Sequence, residues 1–289
     1  MKRKLISFDW AIKRILRSKA NFEILEGFLS ELLFEEITIL EILESESNQE
    51  RRDNKFNRLD IKVKNQKEEI ILIEIQYSSE LDYLQRILYA TSKAIAEHMR
   101  EGEAYSKVTK VISISILYFD FGDGDDYIYK GTTNFIGLHN HTQLKLNEKQ
   151  KELYKTESVE KIYPEYYLIK VRNFNDNAKD TLDEWINFLK NEEIPENVRA
   201  KGLLKAKEEL DYLKMDEIEQ LQYNRYKEDR HHEASIYEST YVIGEKIGAK
   251  KNSIEIAKKS FEQGLDLKTI KIITGLSDTE LAHLRNIDK

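Results

Sequence analysis

Residues 57–77 read NRLDIKVKNQKEEIILIEIQY, and the folding of this stretch decides the rest of the chain. Leu59, Ile61 and Val63 alternate with Arg58, Asp60 and Lys62, the period of a strand with one face inward. The polar NQKEE that follows reads as a turn, and the run to Tyr77 reads as a second strand. Together they predict a β-hairpin closing around Lys67. The second strand contains an anomaly. Glu74 is flanked by Ile73 and Ile75 and preceded by Ile70, Ile71 and Leu72, so both faces around it are apolar. An unpaired carboxylate in a low-dielectric core costs several kcal/mol. Either Glu74 faces water or a cation meets it.

Asp60, Glu74 and Gln76 follow the pattern D-x13-E-x-Q. Two residues apart on one strand, Glu74 and Gln76 share a face. A hairpin centred on Lys67 sets Asp60 opposite Glu74, with Cβ atoms about 4.5–5.5 Å apart. Two carboxylates so placed repel each other, and a divalent cation between them turns that cost into a binding site. Mg²⁺ or Mn²⁺ suits the role, because Mg²⁺ is commonly bound through only one or two carboxylates and keeps positions for water and phosphate oxygens. Such an ion polarises a phosphodiester and lowers the pKa of an attacking water. Three polar side chains on the wet face of a two-layer sheet would need no such account; the apolar flanks of Glu74 weigh against that reading.

Around this hairpin the chain reads as a mixed α/β fold. Asp9 and Asn21 are candidate caps for two opening helices, and ITILEIL at 37–43 is a strand or the tail of the second. SESNQERRDNK at 45–55 is a polar loop. A helix is expected from about 80 to 100, where Arg86, Tyr89 and Lys93 form one stripe. VTKVISISILYF at 108–119 is apolar and β-branched enough for a central strand. FGDGDDY is a turn-rich loop, and TTNFIGL and YYLIKVRNF read as further strands. From about residue 178 the pattern is helical and highly charged. LDLKTIKIITGLSDTELAHLR reads as a helix, a turn at Gly275 and a helix capped by Ser277, compatible with a helix-turn-helix.

Hydrophobic residues make up 40% of the 289, enough for a core, and charged residues 34%, above the usual quarter. A net charge of −7 argues against non-specific coating of nucleic acid, which needs clustered Lys and Arg. Residues 242–289 carry nine Lys and Arg against seven Asp and Glu, a local +2. No stretch is long and apolar enough to span a bilayer, and MKRKLISF lacks the apolar core of a secretory signal. The chain has no cysteine, which excludes disulfides and thiolate chemistry and fits a reducing cytoplasm. His139 and His141, like His231 and His232, read as surface residues without a third metal ligand.

FNRLDI, ILIEIQ, RILYATSKAIAEHMREGEAYSKV and VISISIL resemble the Rpn family of recombination-promoting nucleases, a transposase-like branch of the PD-(D/E)XK nuclease superfamily. FDWAIKRIL, NFEILEGFLSELL and TGLSDTEL resemble its opening and terminal segments. The resemblance implies a PD-(D/E)XK restriction-endonuclease-like core over residues 1–192, a mixed central sheet flanked by helices. It also implies a helical C-terminal region over 193–289, with the helix-turn-helix at 265–286. The implied activity is that of a metal-dependent DNA endonuclease. Asp60 corresponds to the superfamily's metal-binding Asp and Glu74 to its acidic E-x-K residue. Gln76 stands where Lys is usual, a hydrogen-bonding group in place of a point charge. Lys62, on the face of Asp60, is a candidate source of the missing charge. Glu26, with Asp9 as its alternative, is the candidate acid from the first helix. Arg86, Tyr89 and Lys93 are the candidate DNA contacts. DNA is the expected partner, and the C-terminal helices offer a route to a homo-oligomer.

Overall fold

The computed structural model describes residues 5, 7, 8, 10, 11, 22–43, 61–211 and 214–287. Asp9, Asn21, Asp60 and the polar segment 45–55 lie outside the described residues. The chain forms two compact units, Met1–Asn224 and Arg225–Lys289.

The expected hairpin is present. β2 (Ile61–Asn65) pairs antiparallel with β3 (Ile70–Gln76) through Lys64↔Ile70, Val63↔Ile71, Lys62↔Leu72 and Ile61↔Ile73, a register symmetric about Lys67. Asn65 fixes the turn: its Oδ1 accepts from the backbone N–H groups of Lys67 (3.0 Å) and Glu69 (2.9 Å). Residues 39–42 of ITILEIL form β1 (Ile39–Ile42), antiparallel to β2. VISISIL forms β4 (Val111–Leu117), every residue of it buried. β4 lies between β3 and β6 (Glu165–Lys170), parallel to both. β5 (Ile128–Gly131) closes the far edge against β6. Among the described residues the sheet order is β1-β2-β3-β4-β6-β5.

TTNFIGL is not a strand, contrary to its composition. It contributes one bridge, Ile136↔Gln143, and Phe135, Ile136 and Leu138 are exposed. The edge position beside β6 is taken instead by the short IYKG segment just upstream.

Both faces of the central strands are covered. Ile70, Leu72 and Val111 meet Ala94, and Leu117 meets Tyr83 and Ile87, so α2 (Tyr83–Glu97) lies on the face that carries Glu74. On the other face Ile71, Ile73, Ile112, Ile114 and Ile116 are buried as well. α1 (Glu23–Leu33) and α4 (Thr181–Asn191) pack through edge-to-face rings, Phe28 on Trp185 at 5.5 Å. α3 (Glu148–Tyr154) begins at a capping box on Asn147.

α1 also passes very close to the segment before α5 (Leu203–Glu209). A Cβ added at Gly27 would come within 2.8 Å of Gly202 Cα, with the Lys201 carbonyl nearer still. Gly202 itself has φ +79, a backbone region that glycine occupies without strain.

The second unit holds the C-terminal part of α6 (Glu217–Glu262), then α7 (Leu267–Thr274) and α8 (Asp278–Ile287). Ala257, Ile270, Leu276, Leu281 and Leu284 form its core. Gly275, at φ 66, ends α7 as a left-handed cap. Ser277 and Glu280 form the reciprocal cap of α8, the Ser277 N–H donating to Glu280 Oε2 at 2.7 Å.

Gly27→Ala is therefore expected to destabilise the fold by about 1–3 kcal/mol, because backbone rather than a pliable side chain opposes the new methyl. Thermal and urea unfolding read this out, and unchanged stability would show that the close approach is not required.

Candidate active site at the carboxyl ends of the central strands

Ligand sites in open α/β sheets form beyond the carboxyl ends of the strands. Here those ends belong to β3, β4 and β6, at Gln76, Leu117 and Lys170. Glu74 lies two residues before the end of β3, with Ser115 of β4 beside it in register. It is 5% exposed, so its carboxylate is not on a wet face.

The cation that meets it is Arg86. Its Nη2 donates to Glu74 Oε1, while its Nη1 donates to both oxygens of Glu80, at 2.6 and 2.7 Å. Burial by itself pulls the guanidinium pKa down; the hydrogen bond Arg86 donates to Glu80 and the charges of Glu74 and Glu80 outweigh it and hold it above its usual value. Glu80 also accepts from Gln76 Nε2 at 3.0 Å, and the Ser78 carbonyl accepts from the same nitrogen at 3.1 Å. Glu74, Gln76, Glu80 and Arg86 thus form one connected network within thirteen residues of chain, running from strand through loop into helix. Tyr83 lies under it, with Arg86 Cζ 5.9 Å from its ring centroid. Burial, then the charge of Glu74, pushes the Tyr83 phenol far above its usual range. The hydroxyls of Tyr83 and Ser115 are both buried without a hydrogen bond of ordinary geometry.

The remaining candidates are placed as follows. Tyr89 is exposed, and Lys93 is half-exposed with its ammonium 3.5 Å from Glu97. Only the Arg86 end of the expected stripe therefore reaches the network. Lys62 is buried on the same face as Glu74, and Glu97 takes its charge at 2.9 Å. Glu26 is not brought to Glu74. Its Oε1 accepts from the Ile39 N–H at 2.8 Å, and Ile39 pairs with Asn65 at the turn end of the hairpin. The run of β3 from that end to Glu74 covers about 16 Å. Glu80 was not singled out by sequence: it lies in the polar SSELD loop, where no periodicity marks it. Its one signal is its position just past the carboxyl end of a strand bearing an acid.

Two family models match the chain. The PD-(D/E)XK nuclease family transposase model covers residues 6–239. The chain belongs to that family. The C-terminal HTH domain of the Rpn/YhgA-like nuclease family matches residues 250–286, the segment in which the end of α6, α7 and α8 pack together. No curated protein and no solved structure matches the chain. The network at the end of β3 carries Glu74 and Gln76, the acid and the amide of the D-x13-E-x-Q pattern. PD-(D/E)XK nucleases as a group use divalent metals.

Among the described residues no group of three or more His, Cys, Asp or Glu side chains is placed to hold a metal ion. The oxygens at hand are the Glu74 and Glu80 carboxylates and the Gln76 carbonyl, hard donors of the kind Mg²⁺ and Mn²⁺ prefer. The buried hydroxyls of Ser115 and Tyr83 lie beside them. The donor set suits such an ion in kind, and Arg86 occupies the place between the carboxylates.

Arg86→Met removes the guanidinium held by Glu74 and Glu80 and is expected to cost about 3–5 kcal/mol of stability at neutral pH. Added Mn²⁺ should raise the melting temperature of this variant more than that of the wild type, since an ion that binds only the folded chain stabilises it. Equal response of the two proteins to Mn²⁺ would show that Arg86 and metal do not compete for Glu74.

Proposed function

We propose that this protein is a Mg²⁺- or Mn²⁺-dependent DNA endonuclease, with Asp60 and Glu74 holding the ion. The β2–β3 register carries the reading. The described ladder ends at Ile61↔Ile73, and in the sequence Asp60 is the residue before Ile61 and Glu74 the residue after Ile73. When bound, the ion supplies positive charge at the scissile phosphate and acidifies an attacking water. The chain's own groups do the rest. Glu74 would hold the ion at the carboxyl end of β3. Gln76 aligns the reactants beside it. Arg86 stays anchored through Glu80 and turns its other edge from Glu74 to a phosphate, two of whose oxygens can accept from it. Tyr89 and Lys93, further along α2, extend that contact to the backbone outside the site. In the net reaction the oxygen of water ends on phosphorus and its proton on the leaving oxygen. The C-terminal helices present α8 to the duplex. A cysteine-free chain acting on DNA fits the cytoplasm, and among the described residues no helix is long and apolar enough to cross a membrane.

A second reading is supported by the Arg86–Glu74 contact itself. A carboxylate already neutralised by arginine needs no metal, so the chain could bind DNA through its C-terminal helices without cutting it. Self-association belongs to this reading too: Ile243 and Ile247 of α6 are exposed, and sedimentation of the full chain tests it.

Plasmid nicking separates the two. The nuclease reading predicts Mg²⁺-dependent nicking abolished by EDTA and lowered at least about a hundredfold, near 2.7 kcal/mol of barrier, by Asp60→Ala or Glu74→Ala. Gel-shift affinity should survive both substitutions. Nicking indifferent to them would remove the site, and DNA binding without nicking in any divalent metal would leave the second reading.

A further inference from the structure

Gln76 replaces the lysine usual at this position of the superfamily, and its hydrogen bonds say which end of its amide faces the reaction. The NH₂ group has two hydrogens and the carbonyl oxygen has none. Both neighbours of Nε2 are acceptors, the Ser78 carbonyl at 3.1 Å and Glu80 Oε1 at 3.0 Å. Turning the amide over would set its oxygen against a carbonyl and a carboxylate, so chemistry alone fixes the orientation. Both hydrogens are then spent. Oε1 accepts no hydrogen bond from any described residue, and Gln76 is half-buried.

The geometry points to Gln76 as an acceptor that orients the attacking water or a water on the metal, with Glu80 as the positioning residue that holds it so. This rests on the nuclease reading and sharpens it. A lysine is donor-only and would meet the phosphate; an amide oxygen offered to the site repels phosphate oxygens and accepts from water. The amide is no base, so it aligns the water and takes no proton from it. Glu80 does two things with one carboxylate. Through one oxygen it holds the Gln76 NH₂ group, and through both it holds the Arg86 Nη1 edge. The phosphate-facing cation and the water-facing oxygen are thereby set relative to each other by a single side chain in the loop.

The test uses the full-length chain and four variants, Gln76→Lys, Gln76→Glu, Glu80→Gln and the double variant Gln76→Glu/Glu80→Gln. Plasmid nicking and Mn²⁺ affinity by calorimetry are the two readouts. Glu80→Gln and Gln76→Glu should each lower nicking about tenfold to a hundredfold, the usual cost of disturbing a group that orients a ligand. In Gln76→Glu two carboxylates oppose each other. The double variant restores a donor at 80 and an acceptor at 76. It should recover most of the nicking and bind Mn²⁺ at least as tightly as the wild type. Gln76→Lys should lose nicking and weaken Mn²⁺ binding about tenfold or more.

A Gln76→Lys variant that keeps wild-type nicking and Mn²⁺ affinity would overturn the acceptor role. A double variant no better than its worse single would overturn the role of Glu80. Glu74→Ala, run alongside, separates the two levels. Loss of nicking there with no effect across the 76–80 series sinks this inference alone, whereas undiminished nicking in Glu74→Ala sinks the nuclease reading and this inference with it.

Discussion

A single buried carboxylate, Glu74, organises the end of the sheet where function is expected. Its position on β3 is dictated by the hairpin register, and its burial is tolerated because Arg86 reaches it from the start of α2. Removing two charges from water and pairing them gains little net stability, yet removing one of the pair is costly. The contact is therefore better understood as a constraint than as a source of stability. It ties the carboxyl end of β3 to the helix that follows. Around it the SSELD loop is held by Glu80, which bonds to both Gln76 and Arg86.

The same contact bears on catalysis in two ways. A guanidinium and a divalent ion both satisfy a buried carboxylate, and they cannot share the same oxygen lone pairs. Glu74 therefore passes from one cation to the other if metal binds, and Arg86 keeps Glu80 as its second anchor throughout. An arginine released from one carboxylate while held by another is well placed for a phosphate, which offers it the same forked geometry. Under the nuclease proposal the local sequence from Glu74 to Arg86 is a self-contained unit, with the proposed acid, orienting amide, anchor and phosphate contact all on one strand–loop–helix segment.

Much of this was legible in the sequence, for identifiable reasons. Alternation in NRLDIKVK and the symmetric placement of NQKEE fixed the register, since a slip of one residue would turn Val63 and Ile61 outward. The apolar β-branched run VISISIL announced a strand covered on both faces. Glu74 stood out because its neighbours made its charge anomalous. Its partner was less visible: periodicity placed Arg86 on a stripe with Tyr89 and Lys93, but could not say that the stripe rotates from the sheet to solvent along α2. Glu80 left no periodic trace in a polar loop. Glu26 looked like a ligand because it is an acid on an early helix, whereas its carboxylate caps the Ile39 N–H at the other end of the hairpin. TTNFIGL has strand composition, but among the described residues it pairs only through the single bridge from Ile136 to Gln143, and pairing rather than propensity decides a strand.

The claim that Glu74 exchanges arginine for a divalent ion is tested most directly by crystals of the protein soaked in Mn²⁺, with anomalous diffraction locating the metal. The account predicts a peak at about 2.1 Å from a Glu74 oxygen, with Asp60 on its other side and Arg86 swung off Glu74 but still on Glu80. Arg86 still seated on Glu74, with no anomalous peak near either residue at saturating Mn²⁺, would contradict it.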